Sequence, residues 1–136
     1  MADVQKFPIE IDCKIKQAGK TKRIKFKILN CFYAIDRSDE LDTVPKTPSN
    51  MNDYWLVSKM LCEKDGGRLP SEDELTILSG LIEREIIDLP YGAYWSSVEV
   101  SSSQARRRFI SSNLSYFGTS DRSYSYYKAL CVGGLN

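Results

Sequence analysis

The side chains of this sequence that could do chemistry are four cysteines and a short acidic run, because histidine is absent from the 136 residues. Without histidine, no Ser-His-Asp or Cys-His nucleophile system and no imidazole switch can be built. Cys13, Cys31, Cys62 and Cys131 form no C-x-x-C motif, so a zinc site is not expected. The acids at 72–74 fit a helix N-terminus, which needs no catalysis to explain it. The sequence predicts no enzyme, metal site or cofactor.

The cysteines are expected to be core residues or disulfide partners. Four cysteines allow three pairings into two bridges, and counting alone leaves the choice open. The first residues show no basic segment followed by an apolar core, so no secretion signal is expected. That favours reduced, buried thiols and a cytoplasmic or virion-surface location. No uncharged apolar run approaches the ~20 residues of a membrane span, so no membrane partner is expected.

Composition predicts one compact domain spanning residues 1–136. Hydrophobic residues make up 42% and charged residues 27% of the chain, which is close to the usual globular mix. Nineteen basic residues face 18 acidic ones, so the net charge of +1 provides no overall attraction to nucleic acid. Any electrostatic binding would have to be local.

The N-terminal segment 6–28 predicts a β-hairpin. In KFPIEIDCKIK, apolar residues alternate with charged ones, as in a strand with one buried face. A turn at QAGKT, residues 17–21, leads to a second alternating run with Ile24, Phe26 and Ile28.

This hairpin carries seven basic residues and no acid between positions 14 and 27. One hypothesis is phosphate or nucleic-acid binding through this stripe. In one alternative, the lysines prevent edge-to-edge association of an exposed strand. In the other, the hairpin mediates assembly, with a strand of a neighbouring chain extending its edge. The residues concerned are Lys14, Lys16, Lys20, Lys22, Arg23, Lys25 and Lys27.

Two helices are expected after a loop at 36–50. The first has Trp55 on its buried face, a cap at Ser49 or Asn50, and an end at the glycine pair 66–67. For the second, Ser71 lies three residues before a glutamate, which is the capping-box spacing. It should end near residues 84–88.

The composition changes in the last third of the chain. Residues 94–127 contain eleven serines, five tyrosines and four arginines, but no lysine, proline or cysteine. Strands are expected around 93–97, 105–111 and 124–132, with Asn113, Gly118 and Asp121 marking turns. Because the strands cluster instead of alternating with helices, the fold class is α+β.

Two segments resemble bacterial proteins of the C-type lectin and formylglycine-generating-enzyme superfamily. GRLPSEDEL at 67–75 is similar to its GGRLPTEAEL/W motif. YWSSVE at 94–99, Ala105 and YYKALCV at 126–132 resemble the YWSS-x-E, A-x-x-x-x-F and YYVRCVR pattern of short bacterial and phage C-type-lectin-like domains. This resemblance covers roughly 51–132 and implies a C-type lectin-like fold, with two helices packed on small antiparallel sheets beside the N-terminal hairpin.

The resemblance also bears on chemistry. It implies that Cys62 and Cys131 lie close together, and that Trp95 is an anchor beneath the C-terminal surface. The calcium-binding EPN and WND motifs do not occur, so calcium-dependent sugar binding is not carried over. The formylglycine-generating activity, which uses a cysteine pair and copper, is not expected because no pair has suitable local spacing.

A subset of this superfamily comprises the variable proteins of diversity-generating retroelements. Their mutable codons encode Tyr, Ser, Asn, Asp, Arg, Phe and Gly among others, but not Lys, Gln, Glu, Met or Trp. Residues 98–126 are similar to such a tract in their Ser, Tyr and Arg content and their lack of Lys. Tyrosine supplies large contact area with few rotatable bonds, and serine and arginine supply adaptable hydrogen bonds.

We therefore expect a display protein whose C-terminal strands and loops bind a protein or glycan on another cell or particle. The alternative is an invariant C-type lectin-like adhesion or assembly module, and a homo-oligomer is compatible with both. The expected ligand-binding residues are Val98, Val100, Ser102, Arg107, Phe109, Ser112, Asn113, Ser115, Tyr116, Phe117, Tyr124 and Tyr126. For Phe109 and Tyr126, the alternative is that their side chains are buried in the sheet and bind no ligand.

Overall fold

The computed structural model describes residues 7–134, which form a mostly antiparallel sheet with helices, and the α+β expectation is confirmed. A short 3-10 turn, Ser38–Glu40, follows the first helix. The helices are α1 (Ala34–Arg37), α2 (Tyr54–Lys64) and α3 (Glu72–Glu83). The strands are β1 (Ile9–Gln17), β2 (Lys20–Tyr33), β3 (Gly92–Glu99), β4 (Gln104–Ile110), β5 (Ser115–Asp121) and β6 (Lys128–Gly133).

The predicted hairpin is present as β1 and β2. Ala18 and Gly19 both have positive φ, 50° and 76°, which is what a tight two-residue hairpin turn requires. Strand β2 continues past the expected end at 28 as far as Tyr33, because its second half pairs with β6. The long strand therefore connects the hairpin to the rest of the sheet.

The strands form one six-stranded sheet in the order β1-β2-β6-β3-β4-β5. All neighbours are antiparallel except β3 and β6, which are parallel at Tyr94 and Lys128. The expectation of several small sheets is therefore wrong. Pairing of β6 with both β2 and β3 joins the N-terminal hairpin and the C-terminal strands into one sheet.

Helices pack on both faces of this sheet. Successive residues of β6 point to opposite sides, so this strand contributes side chains to the core on each face. Leu130 and Val132 belong to the same core cluster as Leu75 and Leu78 of α3. On the other side, α2 packs against β3 and β6. The core on that side contains Trp55, Cys62, Leu69, Trp95, Ala105, Ala129 and Cys131.

The helix ends agree with the sequence in one case and not in the other. Ser71 caps α3 with the full capping box, as predicted. The cap of α2 is Asp53, which accepts the backbone N–H of Leu56 at 3.0 Å, so the expected cap at Ser49 or Asn50 is wrong. The segment before α2 instead folds back through a bridge between residues 46 and 52.

Cys62 and Cys131 form a disulfide between α2 and β6, with their Cα atoms 5.1 Å apart. Their expected proximity is confirmed, and the expectation of reduced thiols is wrong for this pair. Cys13 and Cys31 are free, and burial raises the pKa of Cys31 to about 11. Among the described residues, no helix has the length and apolar character that crossing a membrane requires.

Candidate functional site

Six side chains form a continuous surface on one face of β4 and β5 and on the loop that follows β5. Arg107 lies at its centre, 5.4 Å from the Tyr116 ring and 5.9 Å from the Tyr127 ring. Tyr116 contacts Phe109, and Tyr127 stacks on Tyr124 at 4.7 Å, which in turn meets Tyr126. We call this set the tyrosine–arginine surface: Arg107, Phe109, Tyr116, Tyr124, Tyr126 and Tyr127.

The pairing of β4 with β5 brings these residues together. Phe109 lies opposite Tyr116, and Arg107 lies opposite Gly118, so side chains at these positions share one face of the sheet. Tyr116, Tyr124 and Tyr126 are 45%, 49% and 76% exposed. Burial of Tyr126 in the sheet, the alternative raised by the sequence, is therefore wrong, whereas Phe109 is half-buried.

Arg107 reaches across β5 because residue 118 is glycine. A Cβ at position 118 would lie only 2.1 Å from Nη1 and 2.6 Å from Cζ of Arg107. The guanidinium therefore lies directly over the backbone of β5. The sequence marked Gly118 as a turn, which is wrong: the glycine lies inside a strand and makes room for a neighbouring side chain.

The polar contacts of Arg107 are few. Its Nε donates to the Tyr127 hydroxyl at 3.4 Å, and Nη1 is enclosed without a hydrogen-bond partner. Within residues 7–134, Arg107 has no carboxylate partner. An arginine in these surroundings presents an uncompensated positive charge among aromatic rings.

Beneath this surface lies Trp95, opposite Arg107 in the β3–β4 pairing. Its side chain is fully buried and meets the edge of Tyr127 with ring centroids 4.9 Å apart. The Tyr127 hydroxyl also lies 2.8 Å from the hydroxyl of Ser120 on β5. Tyr127 is thus fixed from below and from the side, and Tyr124 stacks on a rigid support.

The loop that carries the tyrosines is held by Arg122. This side chain is buried, binds Asp53 and Glu99, and donates to the carbonyl of Ser101 at 2.8 Å. Burial alone would lower the pKa of Arg122, but its hydrogen bonds to the two carboxylates outweigh burial and raise that pKa. The guanidinium also stacks on Trp55 at 4.5 Å.

The residues predicted from sequence fall into three groups. Arg107, Phe109, Tyr116, Tyr124 and Tyr126 come together as described. A second group lies at the two tips of the sheet, and all its members are exposed: Val98 near the end of β3, Val100 and Ser102 in the β3–β4 connection, and Ser112 and Asn113 in the β4–β5 connection.

Ser115 and Phe117 form the third group, on the opposite face of β5. Phe117 lies opposite Arg108 and packs partly against the α3 side of the core. Ser115 accepts a hydrogen bond from Nε of Arg108 at 2.7 Å. These two side chains therefore do not join the tyrosine–arginine surface.

Sequence analysis missed Tyr127 and Arg122. Tyr127 was placed within a strand, but 124–127 is loop and β6 begins only at Lys128. Arg122 follows β5 in a serine-rich stretch, and its partners are 23 and 69 residues away in the sequence. No local pattern signals such long-range partners. The aromatic run at 126–127 was the signal available for Tyr127.

The basic hairpin is exposed, but part of its charge is compensated. Arg23 forms an ion pair with Asp12 across the strands at 2.7 Å, and this hydrogen bond lowers the pKa of Asp12. Lys25 pairs with Asp12 and Lys27 with Glu10 in the strand register. Acids outside positions 14–27 thus lie beside the stripe, which makes it a weaker anion site than the sequence suggested.

No metal-ligand cluster is present in the described part of the chain, where no three cysteine or carboxylate side chains gather. Cys62 and Cys131 are fully buried as well as bonded, so neither offers an accessible thiol.

No protein-family model matches the chain, and no curated protein matches it. The likeness to C-type-lectin-like domains therefore depends on the motifs quoted above.

Proposed function

We propose that this protein is a ligand-binding display protein with a C-type lectin-like fold, and that the tyrosine–arginine surface binds a protein or glycan. The observation that carries the proposal is the continuous contact of five aromatic rings around Arg107 on an exposed face. Tyrosine and arginine are enriched where interfaces concentrate binding energy, because both combine large contact area with directed polar groups.

The scaffold beneath supports this proposal. Two buried links connect α2 to the elements that carry the tyrosine–arginine surface. The disulfide between Cys62 and Cys131 joins α2 to β6, and the ion pair between Arg122 and Asp53 joins the loop after β5 to the start of α2. A surface held by such contacts loses little conformational entropy when a ligand binds.

We further propose that residues 98–126 are a variable tract of the retroelement type. Most of the exposed positions in this tract hold residues that such mutable codons encode, including Val98, Ser102 and Tyr126. Glu99 belongs to the types those codons cannot encode, and its carboxylate pairs with the buried Arg122. In a diversified surface, we expect residues with a structural role to be of types that the mutable codons cannot encode, and their exposed neighbours to be of types that those codons encode.

Binding is tested by applying the protein to glycan and protein microarrays beside a variant with Tyr116, Tyr124 and Tyr126 changed to serine. At least one array ligand should bind the wild type and lose at least tenfold in affinity with the variant. A variant with Lys14, Lys16 and Lys25 changed to glutamine is the matched control, because those side chains lie on the distant hairpin. Ligands that depend on the lysines instead would favour the anion-binding alternative.

Diversification is tested separately, by sequencing this gene across many isolates together with its neighbourhood. Substitutions should concentrate in codons for exposed positions of 98–126 and spare Trp95 and Arg122. A reverse-transcriptase gene beside a near-copy of the 3′ end should accompany them. A uniform gene whose product still binds through its tyrosines would identify an invariant lectin-like module.

A further inference from the structure

The two edges of the sheet differ in how they are protected. Among the described residues, strand β1 pairs only with β2, and its exposed face carries the charged residues Glu10, Asp12, Lys14 and Lys16. Strand β5, with the sequence SYFGTSD, pairs only with β4 among the described residues. It contains neither lysine nor proline, the residues that commonly block pairing at a sheet edge. Strand β5 is therefore the edge that can accept another strand.

The positive charge of Arg107 lies close to the same edge of the sheet. Its guanidinium lies over Gly118, one strand nearer to the edge than its own backbone. Neighbouring strands are about 4.8 Å apart, so a residue added opposite Gly118 would place its side chain beside this guanidinium. No other side chain intervenes at position 118, because glycine has none.

The surroundings of Arg107 favour a carboxylate as its partner. Its side of β4 and β5 holds Ala105, Phe109, Tyr116 and Ser120 and no acid, whereas Arg106 on the opposite side already pairs with Glu72. A carboxylate would accept a charge-assisted hydrogen bond from the guanidinium and compensate its charge.

We infer that the ligand of the tyrosine–arginine surface is a protein segment that extends the sheet along β5 and places an aspartate or glutamate side chain on Arg107. The inference rests on the proposed function and names its ligand class. Backbone pairing with the edge supplies affinity, and the acidic side chain together with the rings of Tyr116 and Tyr127 selects the sequence.

The probe is a phage-displayed library of random linear 12-residue peptides, selected on the full chain. Selections are run in parallel on wild type, Arg107→Gln and the control Arg106→Gln, whose side chain lies on the opposite face. Wild type and the control should enrich aspartate or glutamate, and Arg107→Gln should not. A synthetic wild-type-selected peptide should bind Arg107→Gln at least tenfold more weakly, and Arg107→Lys should recover part of the loss.

Hydrogen exchange locates the bound peptide. Amides of 115–121 should exchange at least tenfold more slowly in the complex, and circular dichroism should show that each variant is folded. Peptides that bind the surface without acidic preference, or without protecting 115–121, overturn this inference while leaving the proposed function intact. Peptides that protect another face, or no selected peptides at all, overturn this inference alone, because the proposed function also includes a glycan ligand and is tested by the arrays. Protection of 115–121 that grows with protein concentration alone would identify a second copy as the occupant and overturn the inference.

Discussion

Arg122 and Asp53 form a buried ion pair that ties the loop between β5 and β6 to the start of α2. Nη2 of Arg122 lies 2.7 Å from Oδ2 of Asp53, and the two residues are 4% and 1% exposed. The same carboxylate accepts the Leu56 N–H and so caps α2, while the Arg122 carbonyl accepts the N–H of Tyr54. One pair thus fixes both a helix end and the loop that displays the tyrosines.

Replacing Arg122 with alanine should lower the free energy of unfolding by about 3–5 kcal/mol, because the carboxylate of Asp53 would stay buried without its partner. Urea unfolding monitored by circular dichroism measures this change. The matched control is Arg106→Ala, which breaks the more exposed pair with Glu72 and should cost less than about 1 kcal/mol. Equal costs for the two variants would contradict the structural role of Arg122.

The disulfide is the subject of the second prediction. Cys62 and Cys131 are 69 residues apart in sequence, so the bridge closes a long loop of the unfolded chain. Changing both to alanine should cost about 4 kcal/mol in the chain-entropy description. Dithiothreitol should lower the melting temperature of the wild type and leave that of the double variant unchanged. A wild type that is indifferent to reductant would show that the bridge contributes nothing.

Glu74 provides a prediction about pH. Burial acts to raise the pKa of Glu74, but hydrogen bonds from two nitrogens of Arg68, at 2.6 and 2.8 Å, and from the N–H of Ser71 outweigh it and hold that pKa below its usual value. A carboxyl whose pKa is lowered by folding stabilises the fold fully above its unfolded pKa of about 4.3. That stabilisation is lost as pH falls through the folded pKa.

Glu74→Gln should therefore cost about 1–2 kcal/mol at pH 7 and less as the pH falls below about 4.3. Urea unfolding of both proteins at several pH values from 7 to 3 gives the comparison. A cost that stays constant over this range would mean that the charge of Glu74 contributes nothing to the capping box.

The parts of the fold that depend on nearby residues were predictable from sequence. The hairpin turn, the Ser71 capping box and the ends of α3 follow from patterns within a few positions. The cap of α2 did not, because Asp53 is favoured there by its bonds to Leu56 and to Arg122, and the second of these partners is distant in sequence.

The candidate site was predictable in composition but not in arrangement. No strand was predicted over 115–121, and strand register depends on the pairing of whole strands, so the sequence could not reveal that Gly118 lies opposite Arg107. Without strand β5, Phe117 and Tyr116 looked equivalent, although adjacent residues of a strand point to opposite faces. The single sheet also escaped prediction, because the pairing of β6 with β2 joins segments about 100 residues apart.

Calcium should have no effect on this protein. The exposed acids nearest the C-terminal strands and the 122–127 loop are Glu99 and Asp121, and Glu99 is already paired with Arg122. A calcium ion takes about 6–8 oxygen ligands, which this region cannot supply from its carboxylates. A chelator should leave the melting temperature unchanged with or without added calcium. A drop of several degrees on chelation would demonstrate a metal site in the chain.

The last prediction separates the displayed residues from their support. Trp95 is fully buried and contacts Tyr127, so Trp95→Ala should lower the free energy of unfolding by about 3–5 kcal/mol. Exposed side chains usually contribute within about 0.5 kcal/mol each, so serine at five of them should change ligand choice with little loss of stability. The five positions are Val98, Val100, Tyr116, Tyr124 and Tyr126.

Phe117 is left out of this set because it packs partly against the core, and adding Phe117→Ser should produce a measurable loss of stability. Thermal unfolding of the five-site variant beside Trp95→Ala makes the comparison, with ligand binding measured on the same preparations. If the five-site variant unfolds while Trp95→Ala remains stable, the tyrosines are structural and the display surface has no physical basis. If the five-site variant stays folded and loses its ligand, Trp95 and the strands around it form a scaffold whose surface residues can change independently.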